Sequence, residues 1–187
     1  MNPDGAFQPA TTCENLSGLP TGEGVNVAYR ISMPAEWFNS YWVGDCMLFG
    51  PEPFEPTDPP TIPEAAAIWI YVESGGNFVP DGSVISTEEY TVDGVPAIRY
   101  EIQPSDAPPS VPDPSVDSGL NVALRSILGR NERVVLWIVG VYGRLPSAAI
   151  DSPPYLAITT SSGDPAEFVQ YVAVLDRMVA TLVVLEP

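Results

Sequence analysis

The C-terminal stretch from Asp164 to Leu185 constrains the fold of this chain more than any other segment. Asp164 has the side chain of a helix N-cap, Pro165 suits the first helical position, and Glu167 follows the cap by three residues. This combination is typical of a capping box that starts a helix. Apolar residues then recur at the spacing of one helical face: Phe168, Val172, Leu175, Val179 and Leu182. We therefore predict a long helix whose apolar stripe packs on a sheet.

A hairpin is the second clear local signal. Asp93-Gly94 separates two β-prone runs, residues 88–92 and 95–102, and this dipeptide favours a two-residue hairpin turn. Pro96 cannot donate a backbone hydrogen bond. Its strand is therefore expected to begin at an edge or to tolerate a missing donor there.

Further strands follow from alternating or continuous apolar runs. Residues 25–33 alternate along their whole length, and residues 133–142 form an apolar run typical of a central strand buried on both faces. Shorter strands are predicted at 46–49, 67–72, 120–124, 156–160 and 182–185. The sum is an α+β fold, with an antiparallel sheet of about six or seven strands packed by the C-terminal helix.

Proline usage suggests the domain organisation. The chain has 22 Pro among 187 residues, about twice the ordinary share, and they cluster between the apolar runs. We predict a flexible leader or tether at 1–24 and a single α+β domain at 25–187. Within that domain, Pro-rich acidic loops are expected at 51–64 and 103–118.

The charge balance disfavours several kinds of partner. Seven basic residues, all Arg, stand against 24 acidic residues, for a net charge of −17. Such a field repels phosphate backbones and anionic lipids, so we expect no nucleic acid partner. The longest apolar run is too short to cross a bilayer, so no transmembrane segment is expected.

The absence of Lys and His removes whole classes of catalysis, including Ser-His-Asp and Cys-His sets, Schiff-base chemistry and P-loops. Carboxylate chemistry remains open as a hydrolase alternative. Asp117-Ser118-Gly119 matches one aspartic-protease triplet, but two copies are needed, so a turn before a strand is favoured. Glu88 and Glu89 are adjacent in a strand and point to opposite faces, so they cannot act together. We expect a non-catalytic protein without a cofactor.

Two further binding hypotheses remain open, one for calcium and one for a sugar or peptide. The acidic loop offers oxygen ligands that suit calcium: Ser105, Asp106, Asp113, Ser115 and Asp117. The EF-hand pattern is absent, so no metal site is expected. An aromatic group, Trp37, Phe38, Tyr41 and Trp42, lies in a predicted short helical turn. Exposed aromatic rings of this kind stack on sugars or peptides, whereas buried ones fill a core.

The two cysteines, Cys13 and Cys46, give information about the cellular location of the protein. The chain begins without a signal peptide, as an exported protein supplied without its signal does and as a cytosolic protein does. The Pro- and Thr-containing segment before Cys13 resembles the tether of an envelope protein and favours an extracytoplasmic location. Two cysteines in an exported chain usually pair, so we predict a Cys13–Cys46 disulfide.

Several short motifs together resemble the PsbP-like domains of bacterial envelope lipoproteins. They are the first strand ending in Met33-Pro34 with Trp37 after it, the hairpin at 92–97, the late hairpin predicted at 120–142, and Leu175-Asp176-Arg177-Met178. The resemblance covers residues 25–185 and implies an α/β/α sandwich. It also implies an extracytoplasmic, non-catalytic role that assists other proteins. Together with the aromatic group, this leads us to expect an envelope protein or a glycan as the partner.

Overall fold

The computed structural model describes residues 5–9, 28–42, 46–54, 67–73, 83–104, 119–130, 132–141, 145 and 154–185. The strands within these ranges are β1 (Phe7–Pro9), β2 (Ala28–Arg30), β3 (Ser32–Pro34), β4 (Phe38–Trp42), β5 (Cys46–Gly50), β6 (Ile68–Glu73), β7 (Ser83–Val92), β8 (Val95–Gln103), β9 (Arg133–Gly140), β10 (Tyr155–Ser162) and β11 (Val183–Leu185). The helices are α1 (Gly119–Gly129) and α2 (Pro165–Val179).

The main sheet has seven antiparallel strands in the order β4-β5-β6-β10-β9-β8-β7. The apolar strand β9 lies between β10 and β8, and every residue of β9 after Arg133 is buried. The predictions of an α+β fold, of seven strands and of a central strand at this position are therefore confirmed.

Helix α2 begins at the predicted N-cap, but the reciprocal half of the capping box is not formed, because the Asp164 N–H donates to Ser162 Oγ at 3.0 Å. The Asp164 side chain accepts hydrogen bonds from the backbone N–H groups of Ala166 and Glu167, and Pro165 is the first helical residue. The helix packs on β10, and Leu175 is 0% exposed. After it ends at Val179, strand β11 pairs with β2, so the predicted last strand is also confirmed.

Helix α1 corrects the prediction of a strand at 120–124. Leu120, Leu124 and Ile127 follow helical spacing as well as strand alternation, and all three are buried. The Glu73 carboxylate accepts the backbone N–H of Leu120 at 2.6 Å and satisfies a donor at the start of the helix. Burial raises the pKa of the Glu73 carboxyl above its ordinary 4.5, and this hydrogen bond opposes the rise.

The two helices cover opposite faces of the sheet, because neighbouring strand residues alternate between faces. On β9, Val135, Trp137 and Val139 belong to the core beneath α2. Leu136 and Ile138 belong to the core beneath α1. No helix in the described part of the chain is long and apolar enough to cross a membrane.

The N-terminal segment contributes a strand within the region predicted to be a leader. Strand β1 pairs with β3, and the Arg177 guanidinium of α2 lies 4.2 Å from the centroid of the Phe7 ring. Arg177 also donates to the carbonyl oxygen of Gly5 at 3.1 Å. Residues 5–9 therefore pack on the domain, while residues 10–24 lie outside the described ranges.

Two predicted boundaries change. The single strand expected at 25–33 is divided at Ile31 into β2 and β3, which pair with different partners. The helical turn expected at 36–42 is wrong, because residues 38–42 form β4 and pair with β5. Aromatic residues suit an extended, half-buried strand better than a helix, which accounts for the outcome.

Candidate functional site

The hairpin of β7 and β8 forms one end of the main sheet. Asp93 and Gly94 have φ angles of 50° and 81°, as a type I′ turn requires at both central positions. Val92 pairs with Val95 across the turn. Pro96 precedes the first pair between β8 and β9, Ala97 with Val139, so its missing donor breaks no ladder bond there. The predicted hairpin and the tolerance for Pro96 are confirmed.

Strand β7 is an edge strand: within the described ranges it pairs with β8 alone. A two-residue turn makes Val92 and Val95 a hydrogen-bonded pair, and hydrogen-bonded pairs then alternate along the ladder. Tyr90 and Glu88 therefore direct their backbone groups toward β8. Thr87, Glu89 and Thr91 direct theirs away from the sheet; we call these three residues the outer edge. The outer edge offers N–H donors and C=O acceptors to an added strand.

A β-bulge limits the regular part of this edge. The pairing register of β7 shifts between Val84 and Ser86, which leaves Ile85 as the extra residue. Bulges bend a strand and interrupt pairing with a neighbour. Regular pairing geometry therefore extends over residues 86–92, a length suited to one short extended segment.

Five side chains surround this edge on the face that α2 covers; we call them the edge cluster. They come from four elements: Glu88, Tyr90, Arg99, Trp137 and Asp176. The strand registers place Glu88 opposite Arg99, and Arg99 opposite Trp137. One row of side chains therefore crosses three strands and meets the helix.

Asp176 fixes the inner part of the edge cluster. Arg99 approaches its carboxylate with two nitrogens, at 3.2 Å from Oδ1 and 3.4 Å from Oδ2. The indole N–H of Trp137 donates to the same Oδ1 at 2.8 Å. Charge-assisted bonds from two directions hold both donors in one orientation. The cluster is thus a rigid connection between the sheet edge and α2.

Tyr90 forms the outer part of the edge cluster and is 42% exposed. Its ring lies against Trp137, with centroids 4.8 Å apart and planes at 49°. Its hydroxyl donates to Glu88 Oε2 at 2.5 Å, and this bond raises the pKa of the Tyr90 phenol, as does the negative charge of Glu88. A positioned, half-exposed aromatic ring beside an open strand edge suits contact with another molecule.

The aromatic group predicted from the sequence lies at the other end of the sheet, around β4. Trp37 is 3% exposed, and its ring meets Tyr171 of α2 edge-on at 6.2 Å. Phe38 is 45% exposed. Tyr41 and Trp42 lie in β4, but their side chains are outside what the structure describes. Trp37 is therefore a core residue that adds nothing to an exposed surface, and the binding role of the group stays a prediction.

The remaining predicted features are mostly outside the described ranges. Cys46 lies in β5 but Cys13 is not described, so their disulfide stays a prediction. The proposed calcium ligands at 105–117 are likewise outside these ranges. Among the described residues, no group of three or more His, Cys, Asp or Glu could hold a metal ion. Glu88 and Glu89 lie in a strand, on opposite faces, as predicted.

The sequence carries a partial signal for the edge cluster. The Asp93-Gly94 turn sets the register of the hairpin, and counting back from it places Glu88 opposite Arg99. The contribution of Asp176 had no such signal, because 77 positions separate it from Arg99. The cluster therefore depends on how α2 is placed on the sheet.

Comparisons with known proteins leave the family open. No protein-family model matches the chain, and no curated protein matches it. A solved structure from Bacteroides thetaiotaomicron VPI-5482 is similar, with a TM-score of 0.39 and 11% sequence identity. The match covers 84% of this chain and 45% of that one, so this chain spans about half the length of that structure. A likeness this weak supports no statement about function.

Proposed function

We propose that the protein is a non-catalytic binding module that receives an extended segment of a partner protein at the outer edge of β7. One observation carries the proposal: the backbone groups that Thr87, Glu89 and Thr91 direct away from β8 face no further strand among the described residues. Adding a strand to an exposed sheet edge is a recurring mode of peptide recognition. Main-chain hydrogen bonds supply affinity in this mode, and neighbouring side chains supply selectivity.

The edge cluster supports this proposal. Tyr90 is half exposed beside the outer edge, and its ring is held by Trp137. Aromatic residues that are ordered before binding lose little conformational entropy when they contact a partner. The bulge at Ile85 restricts regular pairing to one stretch, which favours a defined register for the added segment.

We further propose that the module works outside the cytoplasm, at a bacterial cell envelope, with a PsbP-like sandwich fold. Helices on both faces of the antiparallel sheet support the fold assignment. The Cys pair and the composition support the location. The lack of Lys and His supports a role in binding rather than in catalysis.

Two substitutions at one position test strand addition. Thr91→Pro removes an outward N–H, and proline is tolerated at edge strands where that N–H faces solvent. Thr91→Ala is the matched control, since it removes the side chain and keeps the N–H. Wild type and both variants are applied to an array of peptides about ten residues long and to an array of glycans. We expect wild type and Thr91→Ala to capture the same peptides equally well and Thr91→Pro to capture them about fivefold more weakly, with all three equally stable to heat.

Capture of glycans that Thr91→Pro leaves unchanged would contradict the proposal and favour the carbohydrate-binding alternative. Cleavage of the captured peptides, measured by mass spectrometry, would contradict the non-catalytic role. If cleavage disappears when one carboxylate is replaced by its amide, a carboxylate-dependent hydrolase is the better assignment.

A further inference from the structure

The acidic residues of β7 differ from their neighbours in forming no ion pair among the described residues. Arg99 pairs with Asp176, Arg133 with Glu101, and Arg130 with Glu132. Glu88 accepts a hydrogen bond only from the neutral Tyr90 hydroxyl, as far as the described residues extend. Glu89 is exposed and has no ion pair within those residues either.

These two carboxylates face opposite sides of the sheet. Glu88 lies on the α2 face with Arg99, whereas Glu89 pairs with Ile98 and lies on the α1 face. Residues opposite each other in adjacent strands share a face. In a strand added at β7, the residues opposite Glu88 and Glu89 are therefore consecutive in the partner sequence.

We propose that the segment received at β7 carries two adjacent basic residues, one for each of these carboxylates. This inference rests on the proposed function and specifies its partner. Complementary charge supports it, because the protein has a net charge of −17 and attracts a basic segment at long range. A second copy of this chain is disfavoured at the same edge, since pairing β7 with itself brings acidic residues together.

Two synthetic peptides test whether binding depends on adjacent basic residues or only on attraction between opposite charges. Both contain Thr, Val and two Arg and have the same net charge. In one the two Arg are adjacent; in the other a single Thr separates them, so both lie on one face of an added strand. Affinity is measured by fluorescence anisotropy with a labelled peptide. The separated peptide can pair with only one of the two carboxylates. Because it forms one exposed ion pair fewer, we expect it to bind about threefold more weakly.

Variants that each remove one negative charge test whether Glu89 causes the tighter binding of the peptide with adjacent Arg residues. Glu89→Gln is expected to remove the advantage of the adjacent peptide, because only Glu88 then remains to pair. Glu36→Gln is the matched control: Glu36 is also exposed but lies in the turn before β4, away from the β7 edge. It removes the same charge and is expected to keep the advantage. Thr91→Pro is expected to weaken both peptides about fivefold, since it removes a main-chain donor.

The outcomes distinguish the claim that a strand is added at β7 from the claim that this strand carries two adjacent basic residues. Equal affinity for both peptides, with the loss on Thr91→Pro retained, would overturn the dibasic inference and leave strand addition standing. If neither peptide binds but the array still yields peptides that Thr91→Pro captures more weakly, only the dibasic inference is overturned. If the array also captures no peptide, the proposed function is overturned as well. In that case Glu88 and Glu89 protect the edge from pairing, as charges on edge strands do.

Discussion

The indole N–H of Trp137 and the carboxylate of Asp176 form a 2.8 Å hydrogen bond that joins the middle of the sheet to α2. The Tyr90 ring packs against the Trp137 ring. Arg99, on the neighbouring strand, forms an ion pair with the same Asp176 carboxylate. The position of the helix thus determines the position of the exposed ring at the sheet edge. The packing of α2 and the proposed recognition edge are connected through this one acidic residue.

Removing the Asp176 carboxylate should destabilise the fold. Asp176→Ala leaves the Trp137 N–H and the Arg99 guanidinium without their acceptor, at an expected cost of about 2 kcal/mol in the free energy of unfolding. Asp176→Asn keeps an acceptor oxygen for Trp137 and should cost less. Urea denaturation measures both. Equal stability of Asp176→Ala and wild type would mean that the connection is unimportant.

The apolar stripe of α2 offers a second test of stability. Leu175→Ala should lower the free energy of unfolding by about 2–5 kcal/mol, because the residue is fully buried and its removal leaves a cavity. Val169 lies on the same helix and is 67% exposed. Val169→Ala is the matched control and should change stability by about 0.5 kcal/mol or less. Similar effects at the two positions would contradict the packing described for this helix.

Local signals explain which elements the sequence predicted. The capping residues of α2 act within one turn, and the Asp93-Gly94 turn acts within the hairpin that it closes. Both elements are formed by interactions between residues close in sequence, so pattern and structure agree. The burial of β9 followed from its continuous apolar run in the same way.

Elements that depend on distant contacts were predicted less well. Leu120 and Leu124 fit both a strand and a helix by their spacing alone. The helix is supported by Glu73, a cap that comes from β6 and lies 47 positions away. The edge cluster likewise needs Asp176 from α2, and Trp37 is buried because α2 brings Tyr171 against it. Such contacts depend on the assembled fold and leave no local pattern.

Glu73 should make stability depend on pH. Its folded-state pKa is raised from 4.5 by burial, so between these two values the folded protein binds more protons than the unfolded chain. Raising the pH through this window therefore lowers the free energy of unfolding. Glu73→Gln does not titrate, so wild type should lose stability relative to this variant as the pH rises above 4.5. Wild type and Glu73→Gln are compared by their free energies of unfolding across this pH range. If the difference between them stays constant, Glu73 is not a buried carboxyl that ionises there.

The cysteine pair tests the proposed location. A Cys13–Cys46 disulfide in protein taken from its native compartment leaves no thiol to react after denaturation without reductant. Loss of this crosslink on reduction should cost about 3–4 kcal/mol in the chain-entropy description. Thiol titration is the measurement. Two reactive thiols per chain would end the disulfide prediction and weaken the extracytoplasmic proposal.

Backbone hydrogen exchange on β7 tests the central claim most directly. Without a partner, the amides of Thr87, Glu89 and Thr91 should exchange rapidly, and those of Glu88 and Tyr90, directed toward β8, should exchange slowly. Adding the peptide with two adjacent Arg should slow exchange at the three outer positions and leave the two inner ones unchanged. Slow exchange at the outer positions before any peptide is added, or peptide binding that leaves them fast, would contradict strand addition at this edge.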